Sequence, residues 1–312
     1  MTVTEINNWL RHSLGYWMKR VSDMYEALLD SAVLDRPLPL RDLQFEALVV
    51  LSRSVCEDQS SLARALGIDT SSITAILDQL ERMKLGRRRR RSDRRRYSFE
   101  LSKDAPSVIA AEWRVRKLAQ DRVFSTLSAA DGKWLLEQLD WIARHSDAQA
   151  PEWVRLTDGQ PAGNTEYSLD DLYGSLAFLI RRCGQIGRAL ALEVVAPLDL
   201  TEGQAMILYV TCLQPEVDLS YLVRIFHTER PTISKILKTL EARSWIEREV
   251  DPADKRRTRI MATPAGREMM NSIKYIWDHG EDRLNACLPR HDLRSVIDLL
   301  ESMVASPRAL PE

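Results

Sequence analysis

The feature that most constrains this chain is that it repeats itself at about half its length. Displaced by 160 positions, the sequence superposes Leu40 on Leu200, Gln44 on Gln204, Leu48 on Leu208, Asp58 on Asp218, Leu62 on Leu222 and Arg64 on Arg224. The same displacement lays Ile73, Ile76, Leu77, Leu80 and Glu81 on Ile233, Ile236, Leu237, Leu240 and Glu241. A shift of 161 matches Arg87, Asp93, Arg95 and Arg96 to Arg248, Asp254, Arg256 and Arg257, and a shift of 162 matches Leu14, Arg20, Ala27 and Leu28 to Leu176, Arg182, Ala189 and Leu190. Such nearly equal shifts describe one duplicated unit with small insertions. The period is far longer than the 20–50 residues, roughly, of a solenoid repeat. It fits two domains in a chain of 312 residues, each large enough for its own core.

Between the copies, residues 147–167 (DAQAPEWVRLTDGQPAGNTEY) carry two prolines, two glycines and no helical periodicity, which reads as a linker. The expected domains are therefore 1–146 and 168–312. Each copy has the same coarse order. A long helix opens it, over 5–33, where Ile6, Trp9, Leu10, Leu14, Trp17, Val21, Met24 and Leu28 recur at steps of three and four. Its counterpart is expected over 168–195. A second helix follows, at 41–54 and 201–213. Two short helices joined by a turn are expected over 58–84 and 218–243, hairpins over 85–102 and 245–262, and two closing helices after them. Pro106 and Pro264 suit the first turn of the first closing helix, where a missing amide hydrogen costs nothing, and Thr263 suits its N-cap. The last helices fall at about 129–146 and 289–304. The fold class is all-α with small β-wings.

The paired short helices point to a helix-turn-helix. In SSLARALGIDTSSITAILDQLE, Leu62, Ala63 and Leu66 form an apolar edge, Gly67 permits the tight turn, and Ile73, Ile76, Leu77 and Leu80 form the buried stripe of the next helix. Its other face carries Thr70, Ser71, Ser72 and Thr74, short hydroxyl side chains that let a helix approach a groove closely. In the second copy that face carries Thr228, Arg230, Thr232, Ser234, Lys235 and Lys238, which can hold phosphates and reach base edges. Taken singly, either helix could equally be amphipathic with a solvated polar face.

The charge distribution decides between these readings. The net charge is −1, yet residues 84–96 hold Lys84, Arg87 to Arg91 and Arg94 to Arg96 against Asp93 alone, a local charge of +8. Concentrated positive charge in an otherwise acidic chain is suited to a polyanion. Here Arg88, Arg89, Arg90, Arg91, Arg94, Arg95 and Arg96 would lie on a two-stranded ribbon beside the recognition helix, where arginine's fixed fork suits a minor groove or flanking phosphates. A merely solubilising run would not be expected to recur, but the second copy places Asp254, Lys255, Arg256 and Arg257 at the same point, in REVDPADKRRTRIMAT.

With both segments in view, the chain resembles the MarR family, the multiple-antibiotic-resistance regulators. WIEREVDPADKRRTRIMATPAGRE is similar to the family's strand, D-P-x-D-x-R turn, second strand and T-x-x-G helix start, and LARALGIDTSSITAILDQLE to its helix-turn-helix. The resemblance covers most of both copies. It implies tandem winged helix-turn-helix domains and, since members are typically homodimers joined through their first and last helices, an intramolecular pseudo-dimer. It implies double-stranded DNA as partner, and a wing aspartate–arginine pair at Asp93 with Arg95 and at Asp254 with Arg256. It also implies a repressor released by a small aromatic acid or phenol bound near Trp9, Tyr16, Trp17 and Trp113, although packing of the helical interface accounts for those rings more simply. The second copy departs from the pattern with Phe226-His227 in place of Leu-Gly and with Pro231 near the start of its recognition helix. The first copy lacks the Asp-Pro that opens the wing turn. These departures imply either that the two halves read different half-sites or that one of them has lost sequence specificity.

Other chemistries find little support. The five histidines and four cysteines form no CxxC, HxxxH or mixed metal-ligand cluster, so neither a metal nor a cofactor is expected. Cys56, Cys183, Cys212 and Cys287 read as small buried hydrophobes in a reducing cytoplasm rather than as oxidant sensors. No phosphate-binding glycine loop, GxSxG or HExxH is present, which argues against an enzyme. No apolar run reaches the ~18 residues that would cross a bilayer, so no membrane span is expected, and no secretory signal is expected either. Further self-association of the chain stays open. The competing class is a winged-helix assembly module, which would have no use for an arginine-rich wing.

Overall fold

The computed structural model describes residues 14–31, 38–53, 56, 58–90, 97–146, 148, 150–158, 166–214, 217–226, 228–250, 255, 258–288 and 292–305. The first copy contains α1 (Leu14–Ser31), α2 (Asp42–Arg53), α3 (Gln59–Leu66), α4 (Thr70–Arg82), β1 (Gly86–Arg90), β2 (Tyr97–Leu101), α5 (Ala105–Phe124) and α6 (Ala129–His145). The second contains α7 (Leu169–Tyr173), α8 (Leu176–Val195), α9 (Glu202–Leu213), α10 (Leu219–Phe226), α11 (Arg230–Ala242), β3 (Ile246–Val250), β4 (Thr258–Ala262), α12 (Pro264–Cys287) and α13 (Leu293–Ala305). The class is helical with two small antiparallel hairpins, β1–β2 and β3–β4.

Local chemistry accounts for most element boundaries. Asp58 and Ser61 form a reciprocal capping box at the start of α3, and Asp69 caps α4 by accepting from the Ser72 amide. Gly67 ends α3 at φ 62°, the left-handed region that admits glycine without strain, and so turns the chain from one helix into the next. Pro231 lies in the first turn of α11, where no intrahelical bond needs its missing amide hydrogen, so this departure leaves the helix intact. At α12 the Thr263 hydroxyl accepts from the Gly266 amide, and a Cβ on Gly266 would stand 2.1 Å from the Trp245 carbonyl oxygen. The threonine thus caps the helix, and the glycine lets the wing's backbone lie against it. Lys84 and Ser244, equivalent under the 160 shift, both adopt positive φ (60° and 57°) where the chain leaves the recognition helix for the wing. The duplication is preserved down to an uncommon backbone conformation.

Two sequence expectations are corrected. The opening helix of the second copy is not continuous over 168–195: Ser168 and Asp171 cap a short α7, Gly174 ends it, and α8 starts afresh at Leu176. The strand registers also move the extra residue of the second copy. Arg88 pairs with Phe99 and Arg248 with Ile260, so β1 and β3 still obey the 160 shift while β2 and β4 obey 161. The insertion lies in the wing turn, and Arg248 is the counterpart of Arg88, not of Arg87.

The chain divides into two compact units that are not simply the two halves of the sequence. One comprises residues 17–186 and 295–312, the other 1–16 and 187–294. In the first, α4 contributes Ile73, Leu77 and Leu80 to a core that includes Leu48, Leu62, Leu66, Ile109 and Leu135. In the second, Ile233, Leu237 and Leu240 of α11 pack with Leu208, Val210, Leu222, Ile246 and Ile260. The same three positions of each recognition helix therefore face inward, which fixes the opposite face outward.

Candidate nucleic-acid interface

On α4, Thr70, Ser71 and Thr74 are exposed and Ser72 is half-buried. Asp69 holds this turn in place. It accepts from the hydroxyls and one amide of Ser71 and Ser72, and those bonds keep its carboxyl well below the usual carboxylate range. Ser71 and Ser72 thus have hydroxyls already engaged at the cap. The Thr74 hydroxyl donates back to the Thr70 carbonyl. On α11, Arg230, Thr232, Lys235 and Lys238 are exposed and Ser234 is half-buried; Thr228, also half-buried, lies just before the helix. Arg230 donates to the Ser220 hydroxyl at 2.9 Å, tying the start of α11 to α10.

The wing arginines divide by strand alternation. Arg87 and Arg89 share one face of the ribbon and both donate to Glu100, at 3.2 and 2.6 Å, while remaining largely exposed. Arg88, expected to contact DNA, points the other way. Its guanidinium binds Glu81 at 2.5 Å, Asp78 at 2.6 Å and the Thr74 carbonyl at 3.0 Å, and its own amide donates to Glu81 at 2.6 Å. It is a brace between wing and recognition helix. The second copy repeats the brace with Arg248 and Glu241 at 3.0 Å. Sequence reasoning ranked all the arginines alike; the period of two along β1 was the signal that separates them. The Arg90 backbone ends β1. Arg91, Asp93, Arg94, Arg95 and Arg96 lie outside the described residues, as do Asp254, Arg256 and Arg257, so neither expected aspartate–arginine wing pair is described; Lys255 is exposed.

Beside the first reading head, α2, α5 and the α7–α8 turn line a half-open cavity of about 310 Å³. Phe45 and Trp113 lie in its lining with ring centroids 5.9 Å apart, and Trp113 also stands 5.6 Å from Tyr167. Tyr25, Asp42, Glu46 and Arg116 supply its polar wall. Arg116 is buried, lies 4.6 Å over the Phe45 ring, bonds Asp42 and donates to the Leu40 carbonyl at 2.7 Å. Burial drives the Glu46 carboxyl upward against the opposing pull of Arg181, and burial likewise raises the Tyr25 phenol. Of the rings expected to hold an effector, Trp113 lines this cavity. Trp17 is buried elsewhere in the same unit, Tyr16 packs against the core of the other unit, and Trp9 lies outside the described residues.

Cys183 is buried, its sulfur 3.2 Å from the Leu139 carbonyl oxygen, and burial pushes its thiol up to about 12. A thiol so protonated is a poor nucleophile. Among the described residues no group of three or more His, Cys, Asp or Glu side chains could hold a metal ion, and no helix is long and apolar enough to cross a membrane.

A recognition helix with a small polar outer face, braced to an arginine-bearing hairpin and occurring twice, defines a winged helix-turn-helix DNA-binding protein. Sequence comparison agrees: the MarR family's sequence model matches residues 40–97, and a second MarR-family model matches residues 198–257. The chain belongs to the MarR family of DNA-binding transcriptional regulators, with the domain present in tandem. A Thauera aromatica protein described as "Putative transcriptional regulatory protein for hcr operon" is 27% identical over 162 residues, 51% of this chain and 97% of its own length. Among solved structures, the transcriptional repressor CouR bound to a 23-mer DNA duplex is 25% identical, with 44% of this chain and 97% of that one covered and a TM-score of 0.41. A crystal structure of MarR is 30% identical, with 30% and 69% covered and a TM-score of 0.29. A MepR–DNA complex from S. aureus is 25% identical, with 36% and 83% covered and a TM-score of 0.34.

Proposed function

We propose that this protein is a repressor in which one chain reads one imperfect inverted repeat, as an intramolecular pseudo-dimer acting in the cytoplasm. The domains are taken as 1–146 and 168–312, joined by the linker 147–167. The observation that carries this reading is the repeated brace, Arg88 on Glu81 and Arg248 on Glu241. Each copy keeps its wing fixed to its recognition helix, so each keeps a complete reading head. In the first, Thr70, Ser71, Ser72 and Thr74 approach the groove, and the outward wing arginines bind phosphate. In the second, Arg230, Thr232, Lys235 and Lys238 supply charge on the helix itself. Unlike faces read unlike half-sites. Selection of duplexes from a random library by the full chain, followed by footprinting, tests this: protection should span two unequal half-sites about one helical turn apart, roughly 34 Å.

The cavity beside the first head supports release by a small aromatic effector. Phe45 and Trp113 offer ring faces, and Lys117 in the lining offers a cation to an aromatic acid. Titration with salicylate, followed by tryptophan fluorescence in the parent and in Trp113→Phe, tests it. Saturable quenching confined to the parent, with loss of DNA binding over the same concentrations, is the expected result.

A further inference from the structure

The helix-turn-helix of the first copy is held by residues that lie outside the segment matched to the family. The last turn of any helix leaves carbonyls without intrahelical partners. In α3 all four find one. The Ala63 carbonyl accepts from the Ile68 amide at 3.0 Å, and that of Arg64 from the Gly67 amide at 3.1 Å. The rest of the clasp comes from far along the chain. The Arg64 carbonyl also accepts from the Val154 amide at 3.0 Å, Ala65 accepts from the Trp153 indole N–H at 3.2 Å, and Leu66 accepts from Arg181 Nη2 at 3.0 Å.

The distant donors are themselves anchored. Trp153 lies in the irregular segment 150–158, with its ring 5.7 Å from Tyr173 and 5.5 Å from Phe178. Buried Arg182 lies against that ring and donates to the Pro151 carbonyl at 2.8 Å. Asp158 closes the far end, accepting from Arg53 at 2.9 Å and from the Leu169 amide at 3.1 Å. Arg181 binds Glu46 through two nitrogens, at 3.1 and 2.7 Å, and its guanidinium lies 4.8 Å from the Phe178 ring centre. Contact is close enough that a Cβ on Gly67 would stand 3.0 Å from Arg182 Nη1 and 3.2 Å from the Trp153 Cβ. Under the 162 shift the counterpart of Arg181 is Lys19, which is exposed and pairs with Asp23 on its own helix.

We infer that Trp153 and Arg181 are positioning residues for DNA reading by the first copy: they clasp the C-terminal carbonyls of α3 and thereby set where α4 points. The inference rests on the reading that α4 enters DNA. Only Gly67, Ile68 and Asp69 separate α3 from α4, so a shift of the α3 terminus is passed directly to the recognition helix. Base readout needs placement to a fraction of an ångström, which a short helix tethered by a three-residue turn would not keep unaided. The segment between the copies is therefore part of the first reading head. Glu46 lines the cavity and holds Arg181, so the same clasp connects that cavity to the turn before α4.

The test uses the full chain, a duplex selected from a random library by the parent, and a scrambled duplex of equal length. Trp153→Phe keeps a ring in place and removes the indole N–H. Arg181→Gln removes the charge, and Arg181→Lys restores it without the fork. Trp153→Phe and Arg181→Gln should each weaken the selected duplex about tenfold, the scale of one lost buried or charge-assisted bond. The scrambled duplex should weaken by less than about twofold, because phosphate contacts are untouched. Arg181→Lys should recover part of the loss. Protection should fade over one half-site only, and the amides of residues 67–72 should exchange faster than in the parent. Parental affinity in both Trp153→Phe and Arg181→Gln, or equal losses on both duplexes with protection lost over both half-sites, would overturn the inference. If Arg181→Gln does not fold, Trp153→Phe decides alone. If the parent selects no duplex, the DNA reading itself fails, and unchanged exchange at 67–72 in Trp153→Phe would still count against the clasp.

Discussion

Arg88 and Arg89 are neighbours in sequence and opposites in structure, and exchanging each for an uncharged residue should separate fold from DNA binding. Arg88→Met keeps the aliphatic stem and removes three side-chain contacts, to Glu81, Asp78 and the Thr74 carbonyl. The Arg88 side chain is only 18% exposed, so these are shielded, charge-assisted bonds. Such a bond contributes about 1.5–3 kcal/mol, and the lower end applies because Asp78 is half in solvent. A loss of about 1.5 kcal/mol in a unit of this size lowers the melting temperature by roughly 3–6 °C. Arg89→Ala removes a pair between two solvent-exposed groups, whose attraction water and salt screen, so melting should hardly move. Its effect should fall on DNA: weaker binding to selected and scrambled duplexes alike, with the slope of log K against log salt flattened by about 0.9 for one lost phosphate contact. Thermal melts and binding titrations at several salt concentrations read both quantities. If Arg88→Met melts like the parent and flattens the salt slope, Arg88 faces DNA and the brace is not what holds the wing.

Three further outcomes follow from particular residues. Asp69→Ala should destabilise α4 by about 1 kcal/mol through loss of its N-cap, seen as a lower denaturant midpoint. Because the folded carboxyl of Asp69 titrates below its unfolded value, its contribution is complete above about pH 4 and lost as pH falls through the lower, folded value; the parent-minus-variant stability difference should shrink on acidification, and a difference independent of pH would contradict the cap. Cys183 should resist iodoacetamide at pH 8 in the native protein and react once the chain is unfolded, as peptide mass mapping would show; ready native labelling would mean the thiol is not buried as described. Lys235→Ala should cost about 1–3 kcal/mol of discrimination between selected and scrambled duplexes, and equal losses on both would make α11 a backbone clamp.

Much of this architecture could be read from local pattern. The duplication, the stripes Ile73–Leu80 and Ile233–Leu240, the turn at Gly67 and the hairpins all carry signals at short spacing, where period and capping chemistry act. The break between α7 and α8 was visible too, as Ser168 three residues before Asp171 with Gly174 beyond, but the apolar periodicity of the whole stretch masked it. Which arginine braces and which faces outward depends on strand register, and so on where the extra residue of the second wing falls. The clasp is different in kind. Nothing near Trp153 marks it as a partner of Ala65, and a proline-bearing stretch without periodicity looks like a spacer whether or not it is bonded along its length. Glu46 and Arg181 are 135 positions apart, and each reads singly as an ordinary surface charge. Only the fold brings them together and buries them.

The central claim is that a single chain is a complete two-headed reader, and the stoichiometry of its DNA complex tests that most directly. The shortest duplex that retains full affinity should be found by truncation, and the mass of its complex measured by sedimentation. One chain per duplex, with a footprint covering both half-sites, is the predicted result. Two chains on that shortest duplex, each protecting one half-site, would show that the tandem copies do not act as a pair.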